Sequence, residues 1–316
     1  MVNGLTGIAN VGNTCYLNSI IQILSHTPSL HNVLNVSHEN EYKAEKIFTN
    51  EWCQMRNMLW GDQPGILVPN RFITHLQHLS RDKSNSLFSN FQQNDVHEFL
   101  LFILETFHLS ISRKMPDNIR NNNPSITNAY KDSYSEIIAL FYGIHVSYIR
   151  DMNGAILSKI YEPFSTISIP IGNHPSTIYD CMQNYYAPTT LTGDNSYLHP
   201  KTNEKVDATK HLTISTPPNI LIIHLNRWDY TGKKLNTMID SDLTIDLSNL
   251  VIGENVYKYK LYGICNHVGS HNGGHYTSNI RRGDAWYNFN DTSIRRINTQ
   301  DVVSNDAYCF FYYIIK

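Results

Sequence analysis

The 316-residue sequence has few cysteines, no long apolar run and no excess of basic charge. Its five cysteines are odd in number and unclustered, which argues against a disulfide framework and for a reducing compartment. No stretch of about 18 apolar residues occurs, and residues 1–7 lack the pattern of a signal peptide. A net charge of −2 without a Lys/Arg cluster offers no field for nucleic acid. We therefore expect a soluble monomer of the cytoplasm and/or nucleus, with neither membrane nor nucleic-acid partners.

The order of periodic segments predicts an α+β fold. Residues 1–140 carry helical patterns at Cys15, around 50–59 and from Asp95 onward. The Asn-rich segment 113–128 reads as an exposed loop. Beyond about residue 140 the patterns are those of strands, at 144–149, 164–169, 221–225, 257–265 and 308–315. Helices followed by an antiparallel-type sheet predict a functional site between the two parts.

One cysteine stands where a reactive thiol would belong. Apolar residues after Cys15 recur at helical spacing and stop near Pro28, so Cys15 begins a helix. Unpaired N–H groups and the helix dipole at that end favour the thiolate, which is the nucleophilic form. The alternative is a small core residue at a helix start, since buried free cysteines are common. The other cysteines have apolar neighbours and are expected in the core, namely Cys53, Cys181, Cys265 and Cys309.

A histidine near the other end could supply the base that a thiol needs. His275 is distinguished among 15 histidines by the two glycines before it and by the strand pattern that leads to it. Asn290 and Asp291 follow on a neighbouring strand pattern, and either could orient the imidazole. Cysteine, histidine and an orienting Asn or Asp form the minimal set for acyl transfer by a thiol.

Five spaced blocks occur at residues 4–19, 93–100, 219–228, 267–276 and 286–291. Together they resemble the ubiquitin-specific protease family of deubiquitinases. The first block resembles the family's cysteine box, the second its Gln-Gln-Asp-Ala-His-Glu-Phe segment and the third its Leu-Lys-Arg-Phe strand, with Asn226 and Trp228 as departures. The last two resemble the family's histidine box. The blocks occur in family order and cover nearly the whole chain.

The resemblance implies a papain-like cysteine protease core with thumb, palm and fingers. Residues 1–316 would form one catalytic domain without an accessory domain. Within it, 1–140 would be the helical thumb, about 141–220 the fingers and part of the palm, and about 221–316 the palm with the histidine box. The implied reaction is hydrolysis of (iso)peptide bonds after the C-terminal glycine of ubiquitin, without a cofactor.

The resemblance also carries roles onto individual residues. Cys15 would attack, His275 would move the proton and Asn290 would orient the imidazole. Asn10, five residues ahead of the nucleophile, would donate to the oxyanion, and Asp291 would assist.

Binding of the Arg-containing tail of ubiquitin is carried over in the same way. Asp95 and Glu98 would receive the tail, with His267 and Tyr276 beside it, and residues 265–274 resemble the blocking loop that moves for its entry. Asp95 and Glu98 also have the spacing of a helix capping box, which alone would explain the pair. His97 is expected to pack or hydrogen-bond locally.

The fingers depart from the common family pattern, in which two Cys-x-x-Cys pairs bind zinc. No cysteine lies between Cys53 and Cys181, and Leu198 and Lys201 stand about where the second pair would fall. A four-thiolate site cannot be built, so no metal is expected. His145 and His199 are then expected to be surface residues rather than ligands.

Two other functions stay open at this point. The same fold could act on another ubiquitin-like modifier, because the sequence does not show how the globular part of the partner is bound. A ubiquitin-binding module that has lost catalysis is the second alternative, against which the intact Cys15, His275 and Asn290 count.

Overall fold

The structure is a computed structural model that describes residues 3–35, 42–62, 65–83, 87–120, 124–172, 177–270 and 273–315. Its helices are α1 (Cys15–Ser25), α2 (Leu30–Leu34), α3 (Lys43–Leu59), α4 (Asn70–Asp82), α5 (Val96–Ser110), α6 (Asp117–Arg120), α7 (Pro124–Tyr130), α8 (Glu136–Phe141) and α9 (Ile178–Tyr186). Its strands are β1 (Gly7–Ile8), β2 (Ile66–Leu67), β3 (Gly143–Asp151), β4 (Ile156–Phe164), β5 (Ile167–Pro170), β6 (Thr189–Leu191), β7 (Tyr197–Leu198), β8 (Lys205–Val206), β9 (Ala208–Thr216), β10 (Ile220–Asn226), β11 (Thr244–Asp246), β12 (Lys258–Ser270), β13 (Gly273–Arg282), β14 (Ala285–Asn290), β15 (Ser293–Ile297) and β16 (Ala307–Ile315). Helices dominate up to Phe141 and strands thereafter, which confirms the α+β prediction.

The largest sheet, here called the palm sheet, has the strand order β15-β14-β13-β12-β16-β10-β5, and β11 pairs with β12. Neighbouring strands run antiparallel except for β5 beside β10. The last strand in the sequence, β16, lies in the interior of the sheet between β12 and β10. Side chains alternate across β16, so one face of the sheet packs on the helices and the other on α9 and the loops after β10.

A second sheet, here called the fingers sheet, has the order β4-β3-β9-β6. The single strand expected at 164–169 is wrong, because β4 ends at Phe164 in the fingers sheet and β5 begins at Ile167 in the palm sheet. The chain changes sheets across the two residues between them. Helix α9 also interrupts the strand-rich half, and its Thr177–Asp180 capping box explains why it begins there.

The loop expected at 113–128 is also wrong where the structure describes it. Helices α6 and α7 occupy parts of the segment, while residues 121–123 lie outside the described residues. Proline suits the first position of α7 because it has no N–H that needs a partner there. Met115 is buried against Tyr134 and Ile138, so apolar packing orders a segment whose composition is polar.

The cysteine-bearing helix lies between the other helices and the palm sheet. Every residue of α1 is buried, and its apolar side chains belong to the core cluster that the helices share with one face of the palm sheet. All five cysteines are free; Cys53 is half-buried and the others are buried. Among the described residues, no helix is long and apolar enough to cross a membrane.

Candidate active site

Cys15 is the first residue of α1 and only 4% exposed. The chain reaches it through a turn in which Gly12 and Asn13 have φ values of 114° and 54°. The side-chain oxygen of Asn10 accepts hydrogen bonds from the N–H groups of Gly12 and Thr14, at 3.2 and 3.1 Å. Asn10 therefore holds the turn that presents the thiol.

The thiol of Cys15 is not predisposed to ionise. Burial raises its pKa and is the largest cause, while a hydrogen bond from the Tyr276 N–H lowers it and the Asp291 carboxylate raises it again. The N–H groups at the helix start lower the pKa of Cys15 as expected, but loss of hydration outweighs them and the net shift is upward. A base has to take the proton before the sulfur can attack.

His275 lies on β13, one residue before the N–H that contacts the Cys15 thiol. Its Nε2 is 2.7 Å from Oδ1 of Asn290, at the end of the adjacent strand β14. An amide oxygen only accepts, so the proton of the neutral ring is on Nε2 and Nδ1 is free to take another. Of the two candidates, it is Asn290 and not Asp291 that contacts the imidazole.

Asp291 instead joins the palm to the cysteine-bearing segment. Its carboxylate accepts hydrogen bonds from Nδ2 of Asn10 at 3.0 Å and from Nδ2 of Asn18 at 2.7 Å. Its backbone oxygen accepts from the N–H of Ile8 at 2.9 Å. Asn18 was missed by sequence reasoning, although it follows Cys15 by three residues and so shares a helix face with it.

A cleft of about 450 Å³ lies beside the strand segment that follows His275. All four residues predicted to bind the ubiquitin tail line this cleft. These four are Asp95, Glu98, His267 and Tyr276, and the other lining residues also come from the helical part and from the palm sheet and its loops. The predicted blocking loop, whose residues 271 and 272 lie outside the described residues, is in strand conformation at 265–270 and 273–274.

Both carboxylate oxygens of Asp95 accept hydrogen bonds. Oδ1 accepts the N–H groups of His97 and Glu98 at 2.7 and 3.2 Å, which confirms its capping of α5. Oδ2 accepts the hydroxyl of Tyr308 at 2.8 Å. Glu98 is exposed, and partial burial and then the charge of Asp95 raise its pKa.

The floor of the cleft is built from histidines that are neutral near pH 7. Burial lowers the pKa of His267 to about 4 and that of His224 to about 3. His97 packs, as one of its two expected roles required, but its hydrogen-bond partner is not local. Its ring stacks on His224 at 4.1 Å, and its Nε2 is 2.8 Å from the Thr166 hydroxyl of a distant segment.

The two leftover histidines of the fingers have separate partners. His145 is buried rather than on the surface, with Nε2 2.7 Å from the Tyr186 hydroxyl and its ring stacked on Phe164. Burial lowers its pKa to about 4. His199 accepts a hydrogen bond from the Thr202 N–H at 3.2 Å. Within the described part of the chain, no three His, Cys, Asp or Glu side chains converge as a metal site would require.

The α+β fold is of the papain-like class, with Cys15 at the start of a helix and His275 and Asn290 on adjacent strands. A family model described as ubiquitin carboxyl-terminal hydrolase matches residues 6–312, and the chain belongs to that family.

Relatives of known sequence and structure agree with this membership. The chain is 29% identical over 339 residues to ubiquitin carboxyl-terminal hydrolase 2 of Homo sapiens, covering 98% of this chain and 55% of the relative. It is 26% identical over 370 residues to ubiquitin carboxyl-terminal hydrolase 4 of Saccharomyces cerevisiae, covering 97% and 39%. The chain thus spans about half or less of these relatives. The SAGA Ubp8/Sgf11/Sus1/Sgf73 DUB module bound to ubiquitin aldehyde shares the fold, with a TM-score of 0.77 at 24% identity over 99% of this chain and 70% of that one.

Proposed function

We propose that the protein is a thiol-dependent deubiquitinase that hydrolyses (iso)peptide bonds after the C-terminal glycine of ubiquitin. The observation that carries the proposal is the 2.7 Å contact of His275 Nε2 with Asn290, on a strand whose next N–H contacts the Cys15 thiol. Membership of the ubiquitin carboxyl-terminal hydrolase family supplies the substrate class.

The reaction follows from the protonation states of Cys15 and His275. Nδ1 of His275 takes the thiol proton as the sulfur of Cys15 attacks the carbonyl carbon, and a tetrahedral oxyanion forms. The imidazolium then gives the proton to the departing amine as the C–N bond breaks. Water, deprotonated by the same ring, hydrolyses the acyl-enzyme and restores the thiol.

Asn10 is the proposed donor to the oxyanion. A carboxamide has two N–H groups, and one of them is used on Asp291. The other can meet the negative charge that develops on the substrate oxygen. Asp291 itself is a carboxylate and cannot donate, so its contribution is to hold the amides of Asn10 and Asn18.

The cleft lined by Asp95, Glu98, His267 and Tyr276 is the proposed binding site of the ubiquitin tail. Glu98 is exposed, and its carboxylate suits an arginine of the tail. Asp95 is engaged by Tyr308 and by the start of α5, so we assign it mainly to shaping the cleft. His267 and Tyr276 would form the apolar and aromatic wall against which the tail lies.

The remaining assignments extend the same proposal. Residues 1–140 would be the thumb, about 141–220 the fingers with part of the palm, and about 221–316 the palm, in one catalytic domain. The protein would act as a monomer on ubiquitin and ubiquitinated proteins in the cytoplasm and/or nucleus. Five free cysteines agree with such a reducing compartment.

The test is a parallel panel of ubiquitin and ubiquitin-like probes with C-terminal electrophiles, applied to the wild type and to Cys15→Ala. We expect the ubiquitin probe to label the wild type, and Cys15→Ala to lose labelling and turnover while it still binds ubiquitin. Preference for another modifier would replace ubiquitin as the substrate. Binding without labelling by any probe, or hydrolysis by Cys15→Ala, would contradict the proposal.

A further inference from the structure

One side chain crosses directly from the helical part to the strand that carries His275. Gln93, just ahead of α5, accepts a hydrogen bond from the N–H of Gly274 at 2.9 Å and donates one to the oxygen of Gly274 at 3.3 Å. Gly274 directly precedes His275. The contact therefore spans the gap between thumb and palm beside the proposed base.

Near Gly274, β13 is not paired with β14. Strand β14 pairs with β13 only at Ser278–Arg282. Alternate residues of a strand turn their N–H groups to the same side, and here Gly274 meets Gln93 while Tyr276 meets the Cys15 thiol. The open edge thus faces both the side chain of Gln93 and the nucleophile.

Gly274 is required by packing inside the protein. A Cβ at this position would lie 2.3 Å from Nε2 of His267 and 2.6 Å from the oxygen of Val268. The side that would carry a side chain is therefore occupied by β12. Only the N–H and C=O of Gly274 are presented to the gap.

Gln93 also stands at the end of the tail cleft. It lines the cleft together with Asp95 and Tyr276, whereas Cys15 and His275 do not line it. A tail that lies in this cleft and ends at Cys15 would therefore run close to the contact between Gln93 and Gly274.

We propose that Gln93 occupies the substrate's place on this strand edge in the free enzyme, so that the substrate has to displace it. Its carboxamide offers the same donor and acceptor as one peptide unit. An extended peptide adding to an open strand edge makes the same pair of hydrogen bonds.

This inference rests on the proposed function for the identity of the substrate, but the occupancy of Gly274 can be tested without ubiquitin. Gln93→Ala removes the carboxamide, and Gln93→Met keeps its length without donor or acceptor. Gln92→Ala changes an exposed neighbouring glutamine and serves as the control. The first measurement is the rate at which iodoacetamide alkylates Cys15 at fixed pH, followed by mass spectrometry of the Cys15 peptide.

We expect both Gln93 variants to be alkylated about three- to tenfold faster than the wild type, the range for the net loss of about one neutral hydrogen bond. The Gln92 control should match the wild type. With a fluorogenic ubiquitin substrate, KM should fall by a similar factor and kcat should change less than twofold, because the tail no longer has to displace a side chain.

Unchanged alkylation in Gln93→Ala, or a rise in KM or fall in kcat without faster alkylation, would overturn the proposal and make Gln93 a support of the site. Wild-type alkylation rates in Gln93→Met would also overturn it, because bulk rather than hydrogen bonding would then close the passage. Faster alkylation in an enzyme that hydrolyses no ubiquitin substrate would support the occupancy of Gly274 and contradict the proposed function.

Discussion

The polar contacts around Cys15, here called the junction, and the fingers sheet are stabilised in different ways. At the junction, polar side chains far apart in sequence satisfy one another, as Asn18 and Asp291 do at 2.7 Å. The base of the fingers is held by a sheet and by the packing of His145 on Phe164 and Tyr186. Geometry at the junction depends on individual atoms, whereas the fingers depend on summed packing. The fingers can therefore lack zinc-binding thiolates without disturbing the reacting groups.

The largest effect should come from the atom that orients the base. Asn290→Ala removes the acceptor of His275 Nε2, and we expect turnover of a fluorogenic ubiquitin substrate to fall by about one to three orders of magnitude. Asn290→Asp keeps the acceptor and should be tolerated. It adds a charge that stabilises the imidazolium, so its pH–rate profile should move to higher pH.

Circular dichroism and thermal melting of the two variants provide the control, because Asn290 is exposed and neither change should unfold the protein. Near-wild-type turnover of Asn290→Ala combined with an inactive Asp291→Ala would assign the orienting role to Asp291. The contrast between single atoms at the junction and packing in the fingers would then lose its main example.

A middle-sized effect should appear in the fingers, and in stability rather than turnover. Tyr186→Phe leaves the buried Nε2 of His145 without its partner, so the free energy of unfolding should drop by about 1–3 kcal/mol. Activity at 25 °C should change less than twofold, because the junction is untouched. Tyr185→Phe alters the half-buried neighbouring ring and is the matched control. Urea unfolding and steady-state kinetics would measure both, and a large loss of kcat would show that the two regions are coupled.

The smallest expected effect is that of metal removal. Exhaustive chelation should leave turnover and thermal stability unchanged, and elemental analysis should find no stoichiometric zinc. In the described residues, His145 and His199 are each engaged by protein partners, and no cluster of ligands surrounds them. One tightly held zinc per chain would show that the fingers also depend on single atoms.

Sequence periodicity predicted the elements that position the site. The helices that begin at Cys15 and after Asp95 and the strands around 221–225, 257–265 and 308–315 are present, because each buries a regular apolar face. The adjacency of His275 and Asn290 also followed from consecutive strand patterns, since neighbouring strands in the chain tend to pair.

Contacts between distant segments could not be predicted in this way. Asn18 and Asp291 are 273 residues apart, and Gln93 and Gly274 are 181 apart, and neither pair has a local pattern. The pKa of Cys15 depends on a balance of burial, N–H groups and the charge of Asp291 that exists only in the folded protein. The same holds for α6 and α7, where packing around Met115 overrides a polar composition.

The interior position of β16 has a consequence for the newly made protein. Residues 307–315 separate β12 from β10, so the palm sheet cannot close while they are still in the ribosome exit tunnel. A nascent chain whose β16 has not yet emerged therefore holds β12–β15 and β10 with β5 as two unjoined halves of the palm sheet, although Cys15, His275 and Asn290 have already been made.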